Sequence, residues 1–511
     1  IMLSSYSSSI AIISALLLLR ILVGFQPHSG QDNYHGKHNA YGGDYEAQRH
    51  WMELTVHLPI GDWYYYDWEY WGLDYPPLTA YISWICGVLS ERLVGPQSVA
   101  LYDSRGYEDP IHKAYMRATV LVLDALVYLS IVWIATKEGD HRRHDFKSAT
   151  TFILALIQPS MIVIDHGHFQ YNSVSLGLAL WGFYFMTKKE FWNCILGSIC
   201  FCLALNFKQM ILYYAPAVFA YLLGRCFADP SKALPRFFYL GGTVIVTFLF
   251  LWWPFIYYGP THADIAPSDR IGNIVRRLFP FQRGLFEGKV SNLWCALSIK
   301  PISIRERIPL RLQPIAATAM TIFLILPACY RLFCAGRQSK SQRPQDWKLL
   351  LWGSANTGLA FFLASYQVHE KSILMALAPL SLLLWEDVNF ILWFSLVATW
   401  SLWPLIRVDR LEVAYWCCIV VFANVAFLLL NSWHNSRSIF SRFTVTTYFP
   451  HASLLTMLLL HLAEAFHSPP PSLPDLFPVI WSLVGCVLFF VSWLTTNWYL
   501  FATESSKNKM E

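Results

Sequence analysis

The stretch "PPLTAYISWICGVLSERLV", residues 76–94, decides the topology, because every later loop changes sides if it crosses a membrane. Pro76 and Pro77 suit the start of a helix, and Glu91 and Arg92 end the apolar run before it can cross a hydrocarbon core of about 30 Å. It is read as a helix lying along the interface. Around it the chain is overwhelmingly apolar, with 55% hydrophobic, 16% aromatic and 14% charged residues in 511, where a soluble domain has about a quarter charged. Apolar runs recur at 9–25, 115–136, 147–164, 173–187, 191–206, 210–226, 236–258, 314–333, 348–366, 372–386, 388–406, 411–431, 446–467 and 477–501, which predicts an all-α polytopic membrane protein of about fourteen spans.

Charge sets the orientation, since short cytoplasmic loops hold Lys and Arg in excess. With 76–94 kept at the interface, "KEGDHRRH" (137–144), "KKE" (188–190), the turn from Arg225 to Arg236, "RQSKSQRPQDWK" (337–348), "SRSIFSR" (436–442) and "KNK" (507–509) fall on one side. Both termini are expected there, in the cytosol. The opposite, lumenal face receives 26–114, 165–172, 206–209, 259–313, 366–371, 406–411 and 467–476. The chain is expected to form one membrane-embedded unit: a first lumenal loop at 26–114, spans at 115–258, a long lumenal loop at 259–313, and spans at 314–511. That long loop carries nine Lys/Arg against four acids, which suggests an anionic partner such as a lipid phosphate. A net charge of +5 gives no reason to expect nucleic acid. Most of the eleven cysteines lie in apolar runs, with neither a disulfide framework nor a zinc spacing. The chain starts at Ile1, so a leading piece is expected to be missing, and the first apolar run has no cleavage site after it and reads as an uncleaved span.

The unusual residues collect on the lumenal face. Asp44, after two glycines in "GGDYEAQRHWME" (42–53), is either the N-cap of a helix over 45–57 or a general base for an incoming hydroxyl. Glu46, His50, Glu53 and His57 share a helix face, and Asp165, His166 and His168 cluster in "DHGH". No His-Glu-x-x-His or Asp-x-Asp accompanies them, so a metal-free mechanism without cofactor is expected. "DHGHFQYN" (165–172) reads as a polar turn lining a cavity, His168 included. In "WYYYDWEYWGLDYPP" (63–77) the aromatics form an interfacial belt or stack on sugar rings, and Asp74 either binds substrate hydroxyls or caps the next helix. "YQVHEKS" (366–372) puts His369, Glu370 and Lys371 at a joint between apolar runs, where charges are costly unless paired or used. Glu370 and Lys371 either satisfy each other, or His369 and Lys371 bind a phosphate with Lys208 of "NFKQ" and Arg283 of "PFQRG".

Together "GDYEAQRHWMELT", "EYWGLDYPPLTAY", "DHGHFQYNSVSLGLAL", "NFKQMILYYAP", "RLFPFQRGLFEGKVSNLWC" and "YQVHEKSILMALAP" resemble the dolichyl-phosphate-glucose-dependent glucosyltransferases of the endoplasmic reticulum, over residues 9 to 390. The resemblance implies the GT-C fold and an inverting α-1,3 transfer of glucose from the donor lipid dolichyl-phosphate-glucose to the terminal mannose of a dolichyl-diphosphate-linked high-mannose glycan. It implies an enzyme of that organelle's membrane with a lumenal site, and the chain is expected to act as a monomer. It carries the base role onto Asp44, with Asp74 and His369 as substrate residues. "EAQRHWME" and "EYWGLDYPPLTAY" resemble the members that add the first glucose more than the sister members that add the second. From another class, a transporter or lipid scramblase would also have many spans with polar residues inside, but no repeat between two halves is found.

Overall fold

The computed structural model describes residues 2–31, 43–66, 69–137, 145–279, 290–299, 302–338, 344–434 and 445–505. Helices are the regular elements, and no strand occurs among the described residues. Each of the fourteen apolar runs contains a helix, but length and hydropathy do not support fourteen spans. Among the described residues seven helices are long and apolar enough to cross a membrane: Pro110–Lys137, Gln209–Phe227, Pro230–Tyr257, Leu310–Gln338, Glu412–Asn431, Phe449–Phe466 and Leu476–Ala502. The pair Phe146–Leu156 and Pro159–Phe169, bent by 42°, makes an eighth if it is one span. The difference has a physical cause. Ala233–Tyr257 is apolar all round and buries few residues, as expected of a helix that meets lipid, whereas all of Leu374–Ser381 is buried in protein. A helix surrounded by other helices need not span the bilayer by itself, and hydropathy does not separate the two cases.

The joints grouped by charge are tied together where they are described. Arg225 donates to the carbonyls of Lys188 and Lys189 at 2.9 and 3.0 Å. Lys348 pairs with Glu386 at 2.6 Å, Arg331 donates to the Leu500 carbonyl at 2.9 Å, and Tyr499 donates to Asp387 at 2.6 Å. Residues 138–144, 436–442 and 507–509 of the other basic loops lie outside the described residues.

The region 76–94 forms α3, Pro77–Leu93, with proline in its first turn, and it is not among the helices that qualify as spans. It packs on α2, Asp44–His57. The contact is close: a Cβ built on Gly87 would lie 2.6 Å from Val56 Cγ2 and 2.8 Å from the Met52 carbonyl oxygen. Buried within α2, Arg49 holds Glu46 at 2.6 Å and Glu53 at 2.7 Å, and Glu53 also takes His50 at 3.2 Å. The acidic face that raised a metal is thus committed to a guanidinium. Such a network, once broken, leaves a buried charge without its partner.

Gly87→Ala is expected to lower the melting temperature of the purified protein, by an amount equivalent to about 1–3 kcal/mol of overpacking. Gly241→Ala, whose Cβ would meet nothing within 4 Å, is expected to leave it unchanged or raise it, since alanine is the better helix former. Equal melting temperatures for both variants would refute the close α2–α3 contact.

Candidate active site

Asp44 opens α2, but its carboxylate does not cap it. The N-cap is Gly43, with no side-chain capping bond, and the Asp44 backbone N–H donates instead to Ser29 Oγ at 3.3 Å. A Cβ on Gly43 would collide with Ser29 and the Gly30 nitrogen, so glycine is required for this approach. The carboxylate is left for other partners, and three converge on one oxygen. Asp44 Oδ2 accepts from His168 Nε2 at 2.7 Å, from Lys371 Nζ at 2.5 Å and from Gln170 Nε2.

A break in a helix delivers two of those donors. Gln158 precedes Pro159 and is held extended (φ −55°, ψ 115°), as a residue before proline prefers. The chain resumes, passes into a π-helix over Val163–Phe169, and leaves it through Phe169 at φ +85° and an extended Gln170. Asp165 closes the turn by accepting from the Asn172 and Ser173 backbone N–H groups at 3.1 and 2.6 Å. π-Turns inside helices are frequent at functional sites.

Behind His168 lies Asp409, buried, whose Oδ2 bonds His168 Nδ1. A ring with a carboxylate oxygen at each nitrogen suits the doubly protonated form, in which His168 would donate to both Asp44 and Asp409. Lys371 Nζ is 3.1 Å from His168 Nε2, and the two carboxylates offset that repulsion. On the other flank Gln170 Oε1 accepts from Lys208 Nζ at 2.9 Å, and Asn172 Oδ1 accepts from it at 2.6 Å. Burial by itself would raise the Asp44 carboxyl, yet the Lys371 ammonium and His168 hold it well below the usual carboxylate range. Burial pushes the Lys208 ammonium down to about 7, and repulsion from Lys371 adds to the effect.

Asp44, Asp74, Lys208, His369 and Lys371 all line one cavity of about 580 Å³, and His168 stands directly behind Asp44. Asp74 does not cap α3, whose N-cap is Pro76. Lys371 pairs with Asp44 across the cavity and not with its neighbour Glu370. Trp71 and Tyr75 of the aromatic run reach the wall, and the Tyr75 ring lies 5.2 Å from Lys208 Nζ. Arg283 lies outside the described residues. The long basic loop contributes Arg277 instead, which lines the cavity and donates from Nε to the Leu73 carbonyl at 3.2 Å. Below these charges the walls turn apolar, with Leu212, Pro216, Ile322 and Ile325 on the spans Gln209–Phe227 and Leu310–Gln338. Leu212 and Ile322 are exposed, so the cavity is continuous with exposed apolar surface on these two helices.

A family model described as the ALG6, ALG8 glycosyltransferase family matches residues 16–496. The chain belongs to that family. It is 39% identical over 500 residues to the mouse dolichyl pyrophosphate Man9GlcNAc2 alpha-1,3-glucosyltransferase, covering 93% of this chain and 92% of that one. It is 38% identical over 530 residues to the chicken protein of the same name, covering 98% of both, and 33% identical over 521 residues to that of Saccharomyces cerevisiae, covering 96% and 91%. Among solved structures it is similar to ArnT from Cupriavidus metallidurans bound to undecaprenyl phosphate, with 14% identity, a TM-score of 0.38, and 83% and 77% of the two chains covered. In this member of the ALG6, ALG8 family, Gln170, Arg277 and Asp409 are the site residues that reading the sequence did not single out. Gln170 lay inside a quoted motif and Arg277 was one of nine basic residues in its loop. Asp409 had only its position at a joint on the same face to recommend it.

Asp409→Asn removes the second carboxylate while leaving an acceptor for His168. It is expected to lower the sugar-transfer rate about 10- to 100-fold, by analogy with the loss of a carboxylate that orients a metal-bound histidine. A saturated rate equal to that of the unmodified protein would leave Asp409 without influence on the site.

Proposed function

We propose that this protein transfers glucose from dolichyl-phosphate-glucose to the terminal mannose of dolichyl-diphosphate-linked Man9GlcNAc2, in α-1,3 linkage, as the first glucose added. In this reading it acts as a monomer in the endoplasmic reticulum membrane, with a lumenal site and cytosolic termini. The observation that carries the chemistry is one carboxylate, Asp44, sharing a cavity with Lys208, His369, Lys371 and Arg277, beside an apolar wall that includes the exposed Leu212 and Ile322. The relatives' names carry the acceptor and the linkage.

The reaction needs little more than this. The mannose hydroxyl oxygen attacks C1 of the glucose from the side opposite the phosphate. The C1–O bond to phosphate breaks, dolichyl phosphate leaves with the electron pair, and the hydroxyl proton passes to Asp44. One displacement inverts a β-linked donor into an α-linked product and needs no carboxylate nucleophile. The base must be ionised and within reach of the hydroxyl, and the low Asp44 pKa keeps it ionised. The leaving phosphate gathers charge as the bond breaks, and preorganised cations stabilise that charge without reorganising. Lys371 and His369 are assigned this role, with Lys208 and Arg277 lining the same cavity and Arg283 assigned to it from its charge alone. Asp74 and the aromatic face of Trp71 suit the hydroxyls and the ring of a sugar.

Asp44→Asn should cost about 10²- to 10⁴-fold in turnover, the range for removing a positioned general base. In cells that lack this protein, Man9GlcNAc2 on its lipid should accumulate without glucose. The natural chain should clear it and the folded Asp44→Asn chain should not. Accumulation of a singly glucosylated glycan would assign the second-glucose step instead, and clearance by Asp44→Asn would remove Asp44 from the mechanism.

Lys208 supplies a pH dependence. Its folded pKa of about 7 means that its positive charge is present below pH 7 and is lost as pH rises through 7. The apparent donor KM should therefore climb above pH 7 in the natural chain. Lys208→Arg, which stays charged, should flatten that climb. A donor KM constant from pH 6 to 8.5 in the natural chain would show that Lys208 does not contact the donor phosphate.

A further inference from the structure

A second cavity of about 700 Å³, which shares no lining residue with the Asp44 cavity, opens between α1, Met2–Gly24, and the first turns of the span Pro110–Lys137. Lys113 and Arg117 stand one helical turn apart on its wall. The Arg117 guanidinium has no carboxylate partner among the described residues. Its Nη2 reaches the carbonyls of Gln26 and Pro27 at 3.4 and 3.3 Å, its Cζ lies 5.5 Å from the Phe169 ring centre, and its Nη1 is buried with no hydrogen-bond partner. Lys113 Nζ reaches Gln31 Oε1 at 3.4 Å. The other cation in the wall, Arg20, is already committed to Asp124 at 2.6 Å. Glu108 is the acid of this cavity, and it lies 3.8 Å from His28. Further along the helix the wall continues with Ala118 and Leu121, and Ile21 and Phe25, from α1 and its end, line the same cavity and are exposed.

An ionisable group within a span is costly, and it is retained where it is paired or used. Two cations above an apolar, alanine-lined groove match an anionic headgroup with a hydrocarbon tail. The donor is the wrong occupant for a chemical reason: its phosphate is bonded to the C1 that reacts, so it must lie beside Asp44. An acceptor that carries its diphosphate at one end of a long glycan and its reacting mannose at the other needs its phosphates held elsewhere on the membrane face. Its two diester phosphates carry two negative charges, which Lys113 and Arg117 match. Resting on the function proposed above, we infer that this cleft binds the diphosphate of the polyprenyl-linked acceptor, with the first isoprene units lying along Ala118 and Leu121.

The test uses the full-length protein in nanodiscs, with dolichyl-phosphate-glucose and the dolichyl-diphosphate glycan varied in turn. Lys113→Gln combined with Arg117→Gln should raise the acceptor KM tenfold or more and leave the donor KM unchanged. Ala118→Trp, which keeps both cations and fills the groove, should also raise the acceptor KM, with an unchanged melting temperature showing that it is folded. Intact-protein mass spectrometry in detergent should show a synthetic polyprenyl diphosphate retained by the natural chain and lost from the double variant. An unchanged acceptor KM in the double variant, with a natural chain that does transfer glucose, would overturn the site alone, whereas absence of any transfer by the natural chain would overturn the function on which it rests. Equal retention of phosphatidylglycerol and polyprenyl diphosphate would overturn it too, by marking the cleft as a general headgroup contact.

Discussion

One carboxylate oxygen, Asp44 Oδ2, ties together elements that are far apart in sequence. His168 and Gln170 reach it from a broken helix, and Lys371 reaches it from the joint before Leu374–Ser381. Asp409 joins through His168 from the joint before Glu412–His434. Each group alone would be an expensive charge in a half-buried setting, and only the set is tolerable. Removing one member of such a cluster strands the rest, which costs more than the missing bond was worth. The cluster is therefore also a structural constraint, because it fixes where three membrane joints meet the first helix after α1.

The irregular backbone around the cluster has the same origin. A regular helix through 157–170 would satisfy its own backbone groups and turn Gln158, His168 and Gln170 to different faces. Pro159 ends that regularity, the π-helix over Val163–Phe169 shifts the side-chain phase, and Phe169 at positive φ turns the chain back. Non-helical backbone near a membrane is tolerated where its polar groups are buried in protein or line a cavity. Here Asp165 takes the freed N–H groups, and the Ser29 N–H donates to the His168 carbonyl at 3.1 Å. A second π-helix, Asp124–Leu129, starts at the carboxylate that receives both Arg20 and His166.

Much of this was legible because residue types at costly places are informative. Asp44, Lys208 and Lys371 stood out as charges beside apolar runs, and the structure brings them into one cavity with Asp74 and His369. What stayed hidden depended on distance along the chain. The choice between capping and chemistry at Asp44 turned on Ser29, fifteen residues earlier, which no local rule identifies. Asp409 meets His168 across 241 residues, and nothing in its own surroundings names that partner. The span count is not settled by hydropathy for a related reason: hydropathy measures how apolar a segment is and not whether lipid or protein surrounds it, so Leu374–Ser381 and Ala233–Tyr257 looked alike in sequence although one is buried and the other faces outward.

The same cluster bears on why the proposed sugar donor would be spent on mannose and not on water. Lys371 and His168 both hold Asp44 Oδ2, and their field makes the carboxylate a weak base. A bound donor phosphate would compete for Lys371, and each bond it drew away would return basicity to Asp44. The base would then reach its strength only with the donor seated, and the departing phosphate would meet an ammonium already in position. In the proposed mechanism, a single lysine shared between base and leaving group would thus link donor binding to readiness for proton transfer.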